Sequence, residues 1–117
     1  PERDLSGQWI EDATGVSGAR IRGIHLRLPG YGDNGPTLEI LQYSQQGRPL
    51  EPAANRPGFQ HIAFSVDDVE AAQNNVLAAG GRMLGKISSS EIPGAGRVTL
   101  VYLTDPEGNI IELLRRS

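Results

Sequence analysis

The sequence contains no cysteine among its 117 residues, and only 5% of them are aromatic. The lack of cysteine excludes a disulfide framework and thiolate chemistry. A net charge of −3, from 11 basic and 14 acidic residues, provides no basic field for nucleic acid or an anionic membrane. No apolar run approaches the length of a membrane span, and the N-terminal "PERDLSGQWI" lacks the order of a signal peptide. We therefore expect a cytoplasmic protein without nucleic-acid or membrane partners.

The second half of the chain carries the clearest local patterns. Residues 58–66, "GFQHIAFSV", alternate as a strand does. The following "DDVEAAQNNVLAAGG" offers Asp67 as a helix cap, then an apolar stripe at helical spacing, then a Gly-Gly stop. After a short segment, "SSSEIPGAG" predicts a loop over residues 88–96, "RVTLVYL" a strand, "DPEGN" a hairpin turn and "IIELL" a last strand. Residues 58–117 therefore predict the order β-α-β-β-β.

The first half contains a copy of the last strand pair. "GARIRGIHLRLPG" (18–30) matches "AGRVTLVYLTDPE" (95–107) at a constant offset of 77, and after a longer turn "TLEIL" lies on "IIELL" at an offset of 73. Glu39 thereby lies on Glu112. The overlay places the counterpart of His61 about 16 residues ahead of the first residue. The first copy thus lacks its opening strand and helix within this sequence.

These patterns predict how the chain is divided. Residues 44–57 are polar and rich in proline and glycine, as linkers are. We expect a single domain over residues 1–117, made of three parts: a partial first module (1–43), a linker (44–57) and a complete second module (58–117). The residues ahead of Arg20 predict a short polar helix or turn, with Trp9 and Ile10 as its large apolar anchors.

Three residues could carry chemistry: Glu39, His61 and Glu112. Successive side chains of a strand point to opposite faces. If the alternate apolar residues of the flanking strands pack beneath the predicted helix, His61 and Glu112 face the open side together. Those apolar residues are Ile62, Phe64, Ile111 and Leu113. One imidazole and two carboxylates form a ligand set suited to a divalent ion such as Zn, Ni, Mn, Fe or Co.

A simpler interpretation must be weighed for each of these residues. A lone histidine or glutamate in a strand is more often a solvated or satisfied residue than a ligand. We interpret His25 in this way, and Tyr43, Tyr102 and Phe59 as packing residues. It is the recurrence of a glutamate at the same place in both copies that favours a functional role.

The stretches "GFQHIAFSVDDVEAAQNNVLAAGG" and "VYLTDPEGNIIELL" resemble the vicinal oxygen chelate superfamily, which includes glyoxalase I, bleomycin-resistance proteins, extradiol dioxygenases and methylmalonyl-CoA epimerase. The resemblance implies an α+β fold in which paired βαβββ modules form a curved mixed sheet around one divalent metal ion. It makes His61 the opening-strand ligand and Glu112 the closing-strand ligand of the second module, and Glu39 the closing-strand ligand of the first. A fourth ligand is expected upstream of Pro1.

The same resemblance implies a metal-dependent glyoxalase-like lyase or isomerase that acts on a small molecule as a homodimer. Glu39 or Glu112 would remove a proton next to a carbonyl, and the metal would stabilise the enediolate. A carboxylate at Glu39 would be surplus in the iron site of a ring-cleaving dioxygenase, which has two histidines and one carboxylate. The alternatives are such a dioxygenase, or a non-catalytic protein of the bleomycin-resistance type that sequesters an antibiotic.

Overall fold

The computed structural model describes residues 2–117, and it has the α+β composition that the sequence predicts. The chain separates into two compact units: unit 1 extends to Pro49, and unit 2 runs from Leu50 to Ser117. Their boundary lies inside residues 44–57, which contain neither helix nor strand. Both helices within the described residues fall short of what a membrane span requires.

Unit 1 is an antiparallel sheet of three strands with one short helix. Its elements are β1 (Glu2–Ser6), α1 (Gln8–Thr14), β2 (Arg20–Arg27) and β3 (Thr37–Tyr43), in the sheet order β1-β2-β3. The predicted short helix is α1, and its Ile10 is buried in a cluster with Ala19 and Ile21, against which Tyr43 packs as expected. Trp9 is 60% exposed, so the expectation that it anchors the helix is wrong. Adjacent residues of a helix point in different directions, and Ile10 takes the side that faces the sheet.

Strand β1 is not predicted by the sequence. It pairs with β2 along its whole length, and the Asp4 carboxylate accepts two hydrogen bonds from the Arg20 guanidinium, at 3.1 Å from Nε and 2.8 Å from Nη2. Because four of its five side chains are exposed, β1 has no apolar alternation in the sequence. Backbone pairing with β2, the Asp4–Arg20 pair and the packing of Leu5 on the buried cluster of unit 1 hold it instead.

Unit 2 is a mixed sheet of five strands with one helix. Its elements are β4 (His61–Ser65), α2 (Val69–Ala78), β5 (Arg82–Met83), β6 (Ser88–Ile92), β7 (Gly96–Thr104) and β8 (Ile110–Arg116). The sheet order is β4-β8-β7-β5, and β6 also pairs with β7. Strand β4 runs parallel to β8, while the other pairs are antiparallel.

The core of unit 2 lies between the sheet and α2. Val101 and Leu103 are 1% and 0% exposed, and with Val69 and Leu113 they form one buried cluster. Phe64, Ile111, Ala72 and Val76 pack against this cluster. The face predicted to lie beneath the helix is therefore confirmed, except that Ile62 remains 45% exposed because it lies beyond this cluster at the outer strand.

Helix α2 begins one residue later than expected. Asp68, not Asp67, is the cap: its backbone is extended, and its side chain accepts a hydrogen bond of 2.9 Å from the Ala71 backbone N–H. That bond satisfies one of the N–H groups that a helix start leaves without a partner. The helix ends ahead of Gly80, whose φ of +97° is a conformation that glycine tolerates best.

The predicted loop over residues 88–96 is mostly strand, which corrects the expectation. Strand β6 pairs antiparallel with β7, and the Ser89 and Thr99 hydroxyl groups lie 2.7 Å apart across that pair. All five side chains of β6 are exposed, so its serine-rich sequence shows no buried alternation. Gly94 and Gly96 both have positive φ and allow the tight turn that joins the two strands.

The hairpins β2–β3 and β7–β8 pair in the same register. His25 faces Glu39 in the first, and Tyr102 faces Glu112 in the second. The offsets of 77 and 73 read from the sequence relate all seven cross-strand pairs of one hairpin to the seven pairs of the other. The internal repeat is therefore present in the strand pairing and not only in the residue types.

The strands that pair with the outer side of each hairpin, β1 and β6, do not follow the offset of 77. Arg3 of β1 faces Gly23, and Ser88 of β6 faces Leu100, the counterpart of Gly23, so the offset from β1 to β6 is 85 rather than 77. The difference arises because α1 lengthens the connection between β1 and β2. The offset of 77 that relates the two hairpins therefore does not extend to the third strand of each unit.

Candidate active site

His61 and Glu112 lie together on the face of unit 2 that points away from α2. Strand β4 lies beside β8, with Ala63 directly opposite Glu112, and this register brings the His61 side chain to the carboxylate. The distance between His61 Nε2 and Glu112 Oε2 is 3.1 Å. The Glu112 side chain is only 12% exposed and that of His61 32%. Because a carboxylate buried to this degree is costly without a partner, the imidazole stabilises Glu112 where it lies.

Tyr102 completes the surroundings of this pair. It is the cross-strand neighbour of Glu112, and its ring meets the His61 ring edge to face, with 5.0 Å between centroids and 86° between planes. Burial raises the pKa of the Tyr102 hydroxyl above its ordinary value of 10.0, and the negative charge of Glu112 raises it further. Tyr102 packs, as expected, but it packs on the two candidate residues and keeps a protonated hydroxyl beside them.

Glu39 lies in unit 1, where its partner is His25. The distance between His25 Nε2 and Glu39 Oε1 is 2.9 Å, and His25 Nδ1 lies 3.3 Å from the Thr37 hydroxyl. If the hydroxyl donates to Nδ1, the Nε2–H donates to Glu39 and the imidazole is neutral. The side chains of His25 and Glu39 are 27% and 45% exposed. These contacts agree with the interpretation of His25 as a satisfied residue, and they add that its partner is the candidate residue Glu39.

The register of the hairpins could have revealed the contacts of His25 and Tyr102, which residue types alone did not predict. A turn of known length fixes which residues face each other, so the "DPEGN" turn places residue 102 opposite Glu112. The overlay then places residue 25 opposite Glu39. Phe59, in contrast, is fully exposed, and its interpretation as a packing residue is wrong.

Two donor atoms in unit 2 have the separation that ligands of one divalent metal ion require. Two ligand atoms that each lie about 2.1 Å from one ion, at tetrahedral or octahedral angles, are about 3.0–3.4 Å apart. His61 Nε2 and Glu112 Oε2, at 3.1 Å, have that separation, and an imidazole with a carboxylate is a combination that Zn, Ni, Mn, Fe and Co accept. No group of three or more His, Asp or Glu side chains within residues 2–117 is arranged to hold a metal.

Known proteins resemble this chain in sequence and in fold. The model of the Glyoxalase/Bleomycin resistance protein/Dioxygenase superfamily matches residues 14–113. Glyoxalase 1 of Caenorhabditis elegans is 32% identical over 106 residues, which are 89% of this chain and 35% of that protein. A candidate glyoxylase of Mycobacterium bovis is 34% identical over 64 residues, which are 55% of this chain and 23% of that protein. The chain thus spans about a third or less of the length of these relatives.

A solved structure agrees with these matches. A glyoxalase family protein from Bacillus cereus aligns with a TM-score of 0.77 over 99% of this chain and 75% of that chain, at 17% sequence identity, which shows a common fold. The family match, the related sequence and the shared fold place this α+β chain in the vicinal oxygen chelate class. The chain belongs to the Glyoxalase/Bleomycin resistance protein/Dioxygenase superfamily, as a glyoxalase-like member.

Proposed function

We propose that the chain is part of a metal-dependent, glyoxalase-like lyase or isomerase that removes a proton next to the carbonyl group of a small molecule. The observation that carries this proposal is the His61–Glu112 pair, in which a nearly buried carboxylate lies 3.1 Å from an imidazole nitrogen. Superfamily membership and the equivalent glutamate, Glu39, in the repeated hairpin support it.

The proposed metal ligands are Glu39, His61 and Glu112, with a fourth ligand expected upstream of Pro1. A divalent ion bound there would polarise the substrate carbonyl and so acidify the neighbouring C–H group. The 3.1 Å separation of His61 Nε2 and Glu112 Oε2 suits two ligand atoms of one ion, and the Tyr102 ring packs edge to face on the imidazole. The ion is one of Zn, Ni, Mn, Fe or Co.

The proposed general base is Glu39 or Glu112, and their surroundings favour Glu39. A base must reach the substrate proton, and the Glu39 side chain is 45% exposed whereas that of Glu112 is 12% exposed. His25 contacts one oxygen of Glu39, Oε1, at 2.9 Å, which leaves Oε2 to accept a proton. Glu112 then serves as a ligand throughout.

The proposal also covers the class of substrate, the oligomeric state and the cellular location. The superfamily and the net charge of −3 support a small-molecule substrate and give no support to nucleic-acid or membrane binding. We propose a homodimer in the cytoplasm, made of a domain with a partial first module, a linker over residues 44–57 and a complete second module. The cysteine-free composition gives no sign of a secreted, disulfide-bonded protein.

Proton exchange tests the proposed reaction on a panel of compounds that share the required carbonyl chemistry. The full-length protein, loaded with a divalent ion, is incubated in D₂O with a panel of small hydroxyketones and hydroxyaldehydes, and deuterium uptake next to the carbonyl is followed by NMR. We expect metal-dependent uptake on at least one compound. Glu39→Gln with Glu112→Gln should slow uptake by at least about 100-fold, because general base catalysis contributes roughly that factor.

The outcomes of this experiment separate the alternatives. Glu107→Gln, in the turn between β7 and β8, is the control and should leave uptake unchanged. Undiminished uptake in the double variant would remove the base assignment. A metal-free protein that binds bleomycin-type drugs would instead support sequestration, and metal-dependent oxygen consumption with catechols would support ring cleavage.

A further inference from the structure

Arg27 lies on the same face of unit 1 as the His25–Glu39 pair. Alternate residues of a strand share a face, so Arg27 follows His25 on this face of β2. Its cross-strand neighbour is Thr37, whose hydroxyl lies 3.3 Å from His25 Nδ1, so adjacent pairs on this face make contact. Diagonal neighbours in a sheet are about 7–8 Å apart. The long Arg27 side chain is therefore within reach of a molecule bound at Glu39.

The equivalent positions of unit 2 carry no charge. By the offsets of 77 and 73, Thr104 corresponds to Arg27 and Ile110 to Thr37. Thr104 and Ile110 are 3% and 6% exposed, whereas the Arg27 side chain is 73% exposed. The same hairpin thus folds with a buried, uncharged pair at this place. The fold therefore does not require an arginine at position 27.

Arg27 contacts an aspartate of the loop that joins β2 to β3. Its Nη1 donates a hydrogen bond of 2.6 Å to Asp33 Oδ1, and the Asp33 side chain is 88% exposed. This loop, residues 28–36, is four residues longer than the equivalent turn of unit 2, residues 105–109. An ion pair so open to water contributes little to stability. The carboxylate or phosphate of a ligand can therefore replace Asp33 at little cost.

The other side of the His25–Glu39 pair is apolar. Gly23 precedes His25 on this face, and Leu41 is its cross-strand neighbour. The Leu41 side chain lies over Gly23, since a Cβ atom at position 23 would be 2.6 Å from Leu41 Cδ2. A molecule that spans this face meets an apolar side chain at one end and a guanidinium at the other. Its negative group is therefore directed to Arg27.

We propose that Arg27 is a specificity-determining residue that binds a carboxylate or phosphate group of the substrate, and that this group displaces Asp33. The guanidinium offers parallel N–H donors that match both kinds of anion. The substrate is then a small hydroxyketone or hydroxyaldehyde with a negative group close to its carbonyl. This inference rests on the proposed function, because the reacting carbonyl is the one that binds beside Glu39.

Deuterium uptake on matched compounds tests this assignment. The metal-loaded, full-length protein is incubated in D₂O with neutral dihydroxyacetone, with dihydroxyacetone phosphate and with hydroxypyruvate. Arg27→Gln should lower kcat/KM for at least one of the two anions at least about tenfold more than for dihydroxyacetone, because hydrogen bonds between charged groups are the stronger ones. The anion that loses more identifies the group as phosphate or carboxylate. Arg22→Gln is the matched control and should change none of the three values, since Arg22 is exposed on the same strand and points to the other face.

Asp33→Asn separates ligand binding from a structural role. Removal of the competing carboxylate should raise kcat/KM for the preferred anion by about threefold or more, because the guanidinium is then free to bind it. A purely structural Arg27–Asp33 pair predicts a decrease or no change, and either result would overturn the proposal. Equal slowing of all three compounds in Arg27→Gln would overturn it as well.

A binding measurement keeps the inference separate from the proposed reaction. Metal-free protein is titrated with inorganic phosphate and, in a second series, with acetate, while NMR follows the backbone amides of Asp33 and Thr37. We expect saturable shifts with at least one anion, a Kd at least about threefold lower in Asp33→Asn, and no saturation in Arg27→Gln. If these shifts occur but no compound takes up deuterium, the anion site is supported and the proposed reaction is contradicted. Uptake without saturable shifts, or an equal Kd in Arg27→Gln, would overturn the anion site alone.

Discussion

Two histidine–glutamate pairs of similar geometry differ in how far water reaches them. His61 and Glu112 are 3.1 Å apart with Glu112 12% exposed, whereas His25 and Glu39 are 2.9 Å apart with Glu39 45% exposed. The more a carboxylate is withdrawn from water, the more the loss of its partner costs. The two pairs therefore form a matched comparison within one chain.

His61→Ala should lower the free energy of unfolding by about 1–3 kcal/mol, because it leaves the nearly buried Glu112 carboxylate without its partner. His25→Ala should cost less than about 1 kcal/mol, because water can replace the imidazole at the exposed Glu39. Urea denaturation of metal-free protein measures both. Equal losses in the two variants would show that the burial of Glu112 does not matter for stability.

The Asp4–Arg20 pair predicts a dependence on pH. The hydrogen bond from Arg20 lowers the pKa of the Asp4 carboxyl below its ordinary value of 3.8. A lowered pKa means that the folded state prefers the ionised form, so the stabilisation is present above pH 3.8 and is lost as the pH falls through the lower value. In an NMR titration, Arg20→Gln should return the Asp4 pKa to its ordinary range. An unchanged titration curve would contradict the pairing of β1 with β2 through this contact.

The sequence predicted the candidate residues better than their contacts. Alternation in "HIAFS" and "IIELL" suffices to place His61 and Glu112 on one face, because side-chain direction in a strand is a local property. The contacts of His25 and Tyr102 depend on which residues face each other across a hairpin, which is a pairing property. Residue types alone therefore did not predict the contacts of those two residues.

At the scale of elements, only one of the two adjacent aspartates at the start of α2 caps the helix. Asp68→Ala should cost about 0.5–2 kcal/mol of stability, because it removes the hydrogen bond to the Ala71 N–H. Asp67→Ala, one residue earlier, is the control and should change stability by less than about 0.5 kcal/mol. Thermal or urea unfolding measures both. A larger loss of stability in Asp67→Ala than in Asp68→Ala would show that Asp67 is the cap, as the sequence alone suggested.

Elements with a buried side were predictable, and exposed edge strands were not. Helix α2 and strands β7 and β8 carry apolar residues at the helical or strand period, because one side of each lies in the core. Strands β1 and β6 are almost wholly exposed and are held by backbone pairing, which leaves no period in the sequence. Both missed strands belong to this second kind.

At the scale of the whole molecule, the repeated hairpin connects the fold to the proposed function. Glu39 and Glu112 occupy equivalent positions in two hairpins of identical register, so the chain carries the same carboxylate twice. In unit 2, Glu112 has a further strand beside it, β4, from which His61 reaches the carboxylate. In unit 1, Glu39 is reached by His25 from β2. The chain also spans only 35% of Glyoxalase 1 of Caenorhabditis elegans.

The central claim is that His61, with Glu112 and Glu39, holds a divalent metal ion. Its most direct test is the metal content of the full-length protein, measured by elemental analysis after purification without chelators. We predict about one divalent ion per site in the unsubstituted protein and in a His25→Ala control, and less than about a tenth of that in His61→Ala, because loss of a ligand sharply weakens binding. A full complement of metal in folded His61→Ala would contradict the account.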